Sequence, residues 1–92
     1  MDKTRAHIVV SGHVQGVFFR ANTSNKALEL GLYGRVINLK DGTVDIIVEG
    51  PQKKIQNLIE WCRQGPPRAK VTHVKTEWHS PTGQFHNFSI EY

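Results

Sequence analysis

Two spacings of apolar residues organise this chain. His7-Ile8-Val9-Val10-Ser11 is short, β-branched and bounded by Gly12, which predicts a strand. Gly12 to Gly16 reads as a loop. From about Arg20 to Leu30 the spacing becomes helical: Phe19, Thr23, Ala27 and Leu30 share a face, while Asn22, Lys26 and Glu29 point elsewhere. Gly31 supplies a stop, because glycine readily takes the left-handed backbone of a helix C-terminus. Two β-like runs follow, Arg35 to Asn38 and Thr43 to Glu49, joined across Lys40-Asp41-Gly42, and Asp-Gly is a hairpin signal. In the second run Val44, Ile46 and Val48 face one way, and Asp45, Ile47 and Glu49 the other.

Pro51 opens the clearest element. Ile55, Leu58, Ile59 and Cys62 form an i, i+3, i+4, i+7 stripe, and Lys53, Lys54, Gln56, Glu60 and Arg63 stay polar. Gly65-Pro66-Pro67 ends that helix, since proline cannot continue it. Val74-Thr76-Trp78 and Phe88-Ile90-Tyr92 alternate as strands on either side of a turn at Ser80-Pro81-Thr82-Gly83. The order is strand–helix–strand twice, then a short strand. Each helix has one apolar face and the strands show half-buried alternation. Two helices on one face of a mainly antiparallel sheet satisfy both patterns. That is a ferredoxin-like α/β sandwich of the α+β class, βαββαβ plus a short C-terminal strand, in one domain spanning residues 1–92.

Composition narrows the function. Apolar residues are 38% and charged residues 22% of the 92, which is globular usage rather than disorder. The longest apolar runs are three residues, so no membrane span is expected. Met1 to Arg5 leads into no apolar h-region, so no secretory signal is expected. One cysteine, Cys62, cannot form an internal disulfide, and a reducing cytoplasm is the expected location. Twelve Lys and Arg against eight Asp and Glu leave +4, which suits an anionic partner without identifying one.

The most informative segment is Gly12 to Arg20. It lies between a strand and a helix N-terminus, where unpaired backbone N–H groups and the positive end of the helix dipole converge. Gly16 permits a backbone shape that a residue with Cβ resists. Arg20 opens the helix and presents a two-donor fork suited to phosphate. Taken bare, this is an anion cradle with a cationic clamp, or else an ordinary glycine turn beside a surface arginine. The residues alone leave both open. Asn38 likewise reads, taken bare, as a residue closing the strand before the hairpin. His7, His13, His73, His79 and His86 show no metal-ligand spacing, so structural roles are expected and no metal site. His13, inside the cradle loop, is a secondary candidate for touching substrate. Cys62 reads as an inert core thiol, Asp45 and Glu49 as residues of an exposed strand face, and Phe18 and Phe19 as core and loop packing.

The run Val14-Gln15-Gly16-Val17-x-Phe19-Arg20 strongly resembles the acylphosphatase signature. A second family signature resembles Gly34-x-Val36-x-Asn38-x-x-Asp41-Gly42-x-Val44, followed by Glu49-Gly50-Pro51. Trp61 with Gly65-Pro66-Pro67 and the closing Phe88-x-Ile90 also look like family features, so the resemblance covers nearly the whole chain. It implies metal-independent hydrolysis of carboxyl–phosphate bonds, without a cofactor. Arg20 and Asn38 map onto the catalytic positions. Gln15, Gly16, Val17, Phe18, Phe19 and Arg20 map onto the phosphate-binding loop. Two departures stand out: Phe18 where many members have glycine, and Arg35 where many have tryptophan or another aromatic.

The implied partner is a small-molecule acyl phosphate, with inorganic phosphate as product and competitive inhibitor, and a monomer is expected. An acyl phosphate expels a carboxylate that is stable at neutral pH, so no strong general acid is needed. What remains is to hold the phosphoryl oxygens, offset their charge and place a water in line. Asn38, with one carbonyl acceptor, is suited to orient that water. An RNA-binding module on the same architecture needs aromatic residues on the central strands. Ile8-Val9-Val10 and Val44 to Val48 contain none, so no nucleic acid is expected. A regulatory module within a larger machine is the other rival, disfavoured by the stand-alone length of 92 residues.

Overall fold

The computed structural model describes residues 3–92 as five strands and two helices. In chain order they are β1 (Lys3–His13), α1 (Phe19–Glu29), β2 (Tyr33–Asn38), β3 (Val44–Pro51), α2 (Gln52–Gln64), β4 (Lys70–His79) and β5 (Phe88–Glu91). The sheet order is β4-β1-β3-β2-β5. The ferredoxin-like α+β expectation holds, element for element.

Alternation explains which face is core. Ala6, Ile8 and Val10 of β1 and Val44, Ile46 and Val48 of β3 are fully buried beneath the helices, together with Val36 of β2. The α2 stripe covers them: Ile55, Leu58 and Cys62 are fully buried and Ile59 nearly so. Burying an aliphatic side chain of this size contributes roughly 1.5–3 kcal/mol. On α1, Phe19, Thr23 and Ala27 turn inward as their spacing predicts, Ser24 joins them, and Leu30 packs half-buried against the core. The Phe19 ring meets Trp61 of α2 with centroids 5.5 Å apart.

Several boundaries differ from the sequence reading. β1 and β4 begin earlier, at Lys3 and Lys70, and β3 runs on to Pro51, while three further differences have a clear local reason. β1 runs on through Gly12 and His13 instead of stopping at Ser11, because both residues pair with β4 across a bulge between Ser11 and Gly12. At Gly12, φ is +123°, and a Cβ there would stand 2.1 Å from the Lys70 carbonyl oxygen, so the bulge needs glycine. β2 begins two residues early, at Tyr33, where it already pairs with Glu49. Residues 80–87 form a long irregular connection rather than a single tight turn.

β5 pairs with β2 in parallel, with Ile37 opposite Glu91. α1 and the two strands therefore present their ends together. The N-terminus of α1, the last residue of β2 (Asn38) and the residue after β5 (Tyr92) all line one cavity. β4 and β5 form the two open edges of the sheet.

Candidate active site

The loop between β1 and α1 is pinned by its own apolar residues. Val14 and Val17 are buried, while Gly16 and Phe18 face outward. Gly16 has φ +76° with open space where a Cβ would stand, so its requirement is conformational. Phe18 immediately precedes α1 with φ 64° and ψ 25°. Among the described residues it is the one non-glycine residue at positive φ. Phe19, next in sequence, goes into the core. The packing expectation thus holds for Phe19 and fails for Phe18, which is 75% exposed because the left-handed backbone aims its side chain out of the loop.

This turn leaves the α1 N-terminus uncapped. No side chain bonds its first-turn N–H groups, and no acidic residue lies in the first turn. The Phe18 carbonyl accepts from the Asn22 backbone N–H at 3.0 Å and from Asn22 Nδ2 at 2.9 Å, which starts the helix. The remaining N–H groups and the dipole make this end electropositive.

Gln15 serves differently from its neighbours. Its Nε2 donates to the Leu39 carbonyl at 2.8 Å and to the Thr43 carbonyl at 2.9 Å. The side chain is thereby committed to the β2–β3 hairpin, leaving its backbone to the loop. Across that hairpin, Asp41 Oδ1 accepts from the Thr43 hydroxyl at 2.7 Å and the Thr43 N–H at 3.0 Å, which hold its carboxyl below the ordinary value. The cradle loop and the strand end bearing Asn38 are therefore tied together. Alternation in the sequence carries no signal for this tie.

A cavity of about 290 Å³ opens here, lined by Gly16, Phe18, Arg20, Asn38, Ile90 and Tyr92 among others. Arg20, in the first turn of α1, donates from Nη1 to the Glu91 carbonyl at 3.1 Å. Its guanidinium carbon sits 4.6 Å from the centroid of the Tyr92 ring. Asn38 closes β2, and its Oδ1 is buried with no hydrogen-bond partner among the described residues. An orphaned acceptor of this kind costs about 1–3 kcal/mol unless something donates to it. His13, by contrast, is exposed on the end of β1 and does not line the cavity. Glu91 and Tyr92 join the site through the parallel pairing of β5, which a strand pattern alone does not specify.

Two carboxylates assigned to an exposed face are in fact buried. Asp45 and Glu49 are 5% and 6% exposed. They do lie on the helix-free face, but long basic side chains and the 80–87 connection cover them. Asp45 has His7 Nε2 at 2.5 Å and Arg35 Nη2 at 3.2 Å. Glu49 accepts from Arg5 Nη1 at 2.7 Å, from the Thr82 N–H and hydroxyl at 2.8 and 2.9 Å, and from the Gly83 N–H at 3.0 Å. Burial works to raise the Glu49 pKa, but these donors more than offset it and bring it to about 2. Cys62 is buried in the core, where desolvation pushes its thiol up to about 12, so it is unreactive. His73, His79 and His86 are exposed and His7 is half-buried. Among the described residues no group of three metal-ligating side chains converges.

Comparison with known proteins agrees along the whole length. A family model described as acylphosphatase matches residues 6–90. An acylphosphatase of Pelotomaculum thermopropionicum is 48% identical over 92 residues, all of both chains. Among solved structures, an acylphosphatase from Coxiella burnetii superposes with TM-score 0.91 at 40% identity, covering 98% of this chain and 94% of that one. The Bacillus subtilis acylphosphatase gives 0.93 at 37%, covering 97% and 99%. The fold also matches 12% of full-length HypF, with TM-score 0.90 at 27% identity over 99% of this chain.

Proposed function

The chain belongs to the acylphosphatase family, and on that premise we propose that the Gln15–Arg20 loop holds the phosphoryl group of an acyl phosphate while Asn38 aims a water at phosphorus. Backbone N–H groups from Gln15 to Arg20 would bind the phosphoryl oxygens at the electropositive end of α1. Arg20 would add charge-assisted bonds and offset the charge on those oxygens. The water oxygen attacks phosphorus and the bond to the acyl oxygen breaks. Its electron pair leaves with the carboxylate, and the water's protons go to phosphate oxygens. The products are a carboxylate and inorganic phosphate, so the enzyme is a hydrolase.

The observation that carries this reading is the buried, unpartnered Asn38 Oδ1 on the same cavity as Arg20 and the uncapped helix end. A carbonyl acceptor there accepts a hydrogen bond from the water and orients its lone pair without acting as a base. The leaving carboxylate needs no Lewis acid, so the mechanism assigns no role to a metal, and benzoyl phosphate hydrolysis is expected to survive EDTA. Inorganic phosphate is expected to inhibit competitively. No helix among the described residues is long and apolar enough to cross a membrane. A cytoplasmic monomer made of one domain over residues 1–92 completes the proposal, supported by the lone buried thiol.

Arg20→Lys tests it. Lysine keeps the charge but loses the planar fork, and charge-assisted bonds contribute roughly 1.5–3 kcal/mol each. Phosphate affinity by calorimetry is expected to fall about tenfold or more, with turnover nearly abolished and the circular dichroism spectrum unchanged. A folded Arg20→Lys protein with wild-type phosphate affinity would move the cradle elsewhere.

A further inference from the structure

Phe18 combines two costs at one position. A non-glycine residue in the left-handed region is strained, and strain of this kind persists where surroundings or function compensate it. Packing does not compensate it here, because the side chain is 75% exposed. The ring stands instead on the cavity that carries Arg20 and Asn38. Tyr92, 92% exposed, lines the same cavity and is held at its mouth by the contact between its ring and the Arg20 guanidinium. Ile90, half-buried, adds a third apolar surface.

Charge on this lining is equally informative. Among the described residues, Arg20 is the one cationic side chain on it, and Asn38 the one other strongly polar side chain apart from the Tyr92 hydroxyl. If the phosphoryl group occupies Arg20, no second cation lines the cavity to receive a second anionic group. The part of the substrate beyond the scissile oxygen meets aromatic and aliphatic carbon. Exposed apolar rings flanking a polar centre are the usual make-up of a small-molecule subsite.

We propose that Phe18 and Tyr92 form an apolar acyl subsite at the mouth of the cavity, selecting acyl phosphates whose acyl group is aromatic or alkyl over those whose acyl group is minimal or charged. This rests on the cradle reading above. Phe18 is a specificity residue in it: its backbone belongs to the cradle and its ring to the acyl group.

The test is the ratio of kcat/KM for benzoyl phosphate to that for acetyl phosphate, each variant being compared with wild type. Taking a ratio cancels the different intrinsic reactivities of the substrates and any general effect on the cradle. Covering about 60 Å² of apolar surface at about 25 cal/mol per Å² corresponds to roughly tenfold. The ratio is therefore expected to fall about tenfold in both Phe18→Gly and Phe18→Ser, and to stay within about twofold of wild type in Phe18→Tyr. Tyr92→Ala is expected to lower it as well. A ratio unchanged in Phe18→Gly and Phe18→Ser, with both folded by circular dichroism, overturns the acyl subsite. Arg20→Ala, run alongside, separates the two readings. If it retains activity on both substrates, the cradle itself is misplaced; if it is inactive while the ratio ignores residue 18, the acyl subsite alone falls.

Discussion

The two ends of the β-sheet treat buried polar groups in opposite ways. At one end, among the described residues, Asn38 Oδ1 is buried and unpaired and α1 starts without a side-chain cap, and Phe18 sits in a left-handed conformation. At the other end Glu49 is buried, but four hydrogen bonds from Arg5, Thr82 and Gly83 satisfy it. Both ends share strands: β2 and β3 carry Asn38 and Val44 at one, and Tyr33 and Glu49 at the other. A buried carboxylate whose two oxygens both accept hydrogen bonds holds a connection in place, whereas, on the proposed mechanism, an orphaned acceptor beside an uncapped helix waits for a donor that arrives with the reaction. The unsatisfied end is where chemistry is expected, and the satisfied end is where stability is kept.

The sharpest way to break this contrast is Asn38→Ala. If the orphaned oxygen orients water, kcat should fall on the order of 10²–10³-fold while phosphate affinity changes little, the pattern of an interaction made in the transition state. Stability by urea titration should hold or rise, because an unpaired buried acceptor has been removed. Steady-state kinetics with benzoyl phosphate checks the first half, and near-normal turnover would remove Asn38 from the site.

Glu49→Gln should do the reverse. An amide cannot accept from all four donors, and the Arg5 charge loses its partner, so a loss of roughly 2–3 kcal/mol is expected with kcat/KM unchanged. Acid should produce the same effect in the wild type. The folded-state pKa of Glu49 is about 2, against an ordinary value of 4.5. The stabilisation is thus fully present above about pH 5 and drains away as pH falls toward 2, because the unfolded chain takes up that proton first. Urea midpoints measured from pH 6 down to pH 2 should fall less steeply in Glu49→Gln than in wild type.

The smallest effect is expected at residue 18. Phe18→Gly should stabilise the protein by about 1 kcal/mol, since glycine takes φ 64° without the penalty a Cβ brings, partly offset by the freer unfolded chain. Thermal unfolding would report it as a rise of a few degrees. A fall would mean that the exposed ring makes contacts that outweigh its backbone strain.

Periodicity revealed the elements that bury apolar area. The Ile55, Leu58, Ile59, Cys62 stripe reads directly as α2, and Val44, Ile46, Val48 as the core face of β3. It failed at Asp45 and Glu49, because alternation says which way a side chain points and not what lies over it. Arg5, His7, Arg35 and the 80–87 connection come from distant stretches of sequence. For the candidate site, resemblance to a family signature singled out Arg20, Asn38 and the loop between them, while their arrangement in space came from topology. The left-handed turn at Phe18 is a backbone property that its side chain argues against. The approach of Glu91 and Tyr92 to Arg20 depends on β5 joining β2 in parallel, and four residues of alternating pattern are silent on direction.

The two open borders of the sheet bear on how the protein lives at high concentration. An unpaired strand is a template on which another chain can add, the first step toward cross-β aggregation. β4 is the longer invitation, ten residues with little of its surface covered. It carries Lys70, Lys75 and Glu77, so a second copy aligning along it in parallel register must bring like charges together. β5 meets the same hazard by brevity: four residues, ending in Glu91, offer too few backbone groups to hold a newcomer. A site of the kind proposed, built partly on an edge strand, cannot hide that edge, and here the strand that brings Tyr92 to Arg20 is kept short enough to be poor at recruiting its own kind.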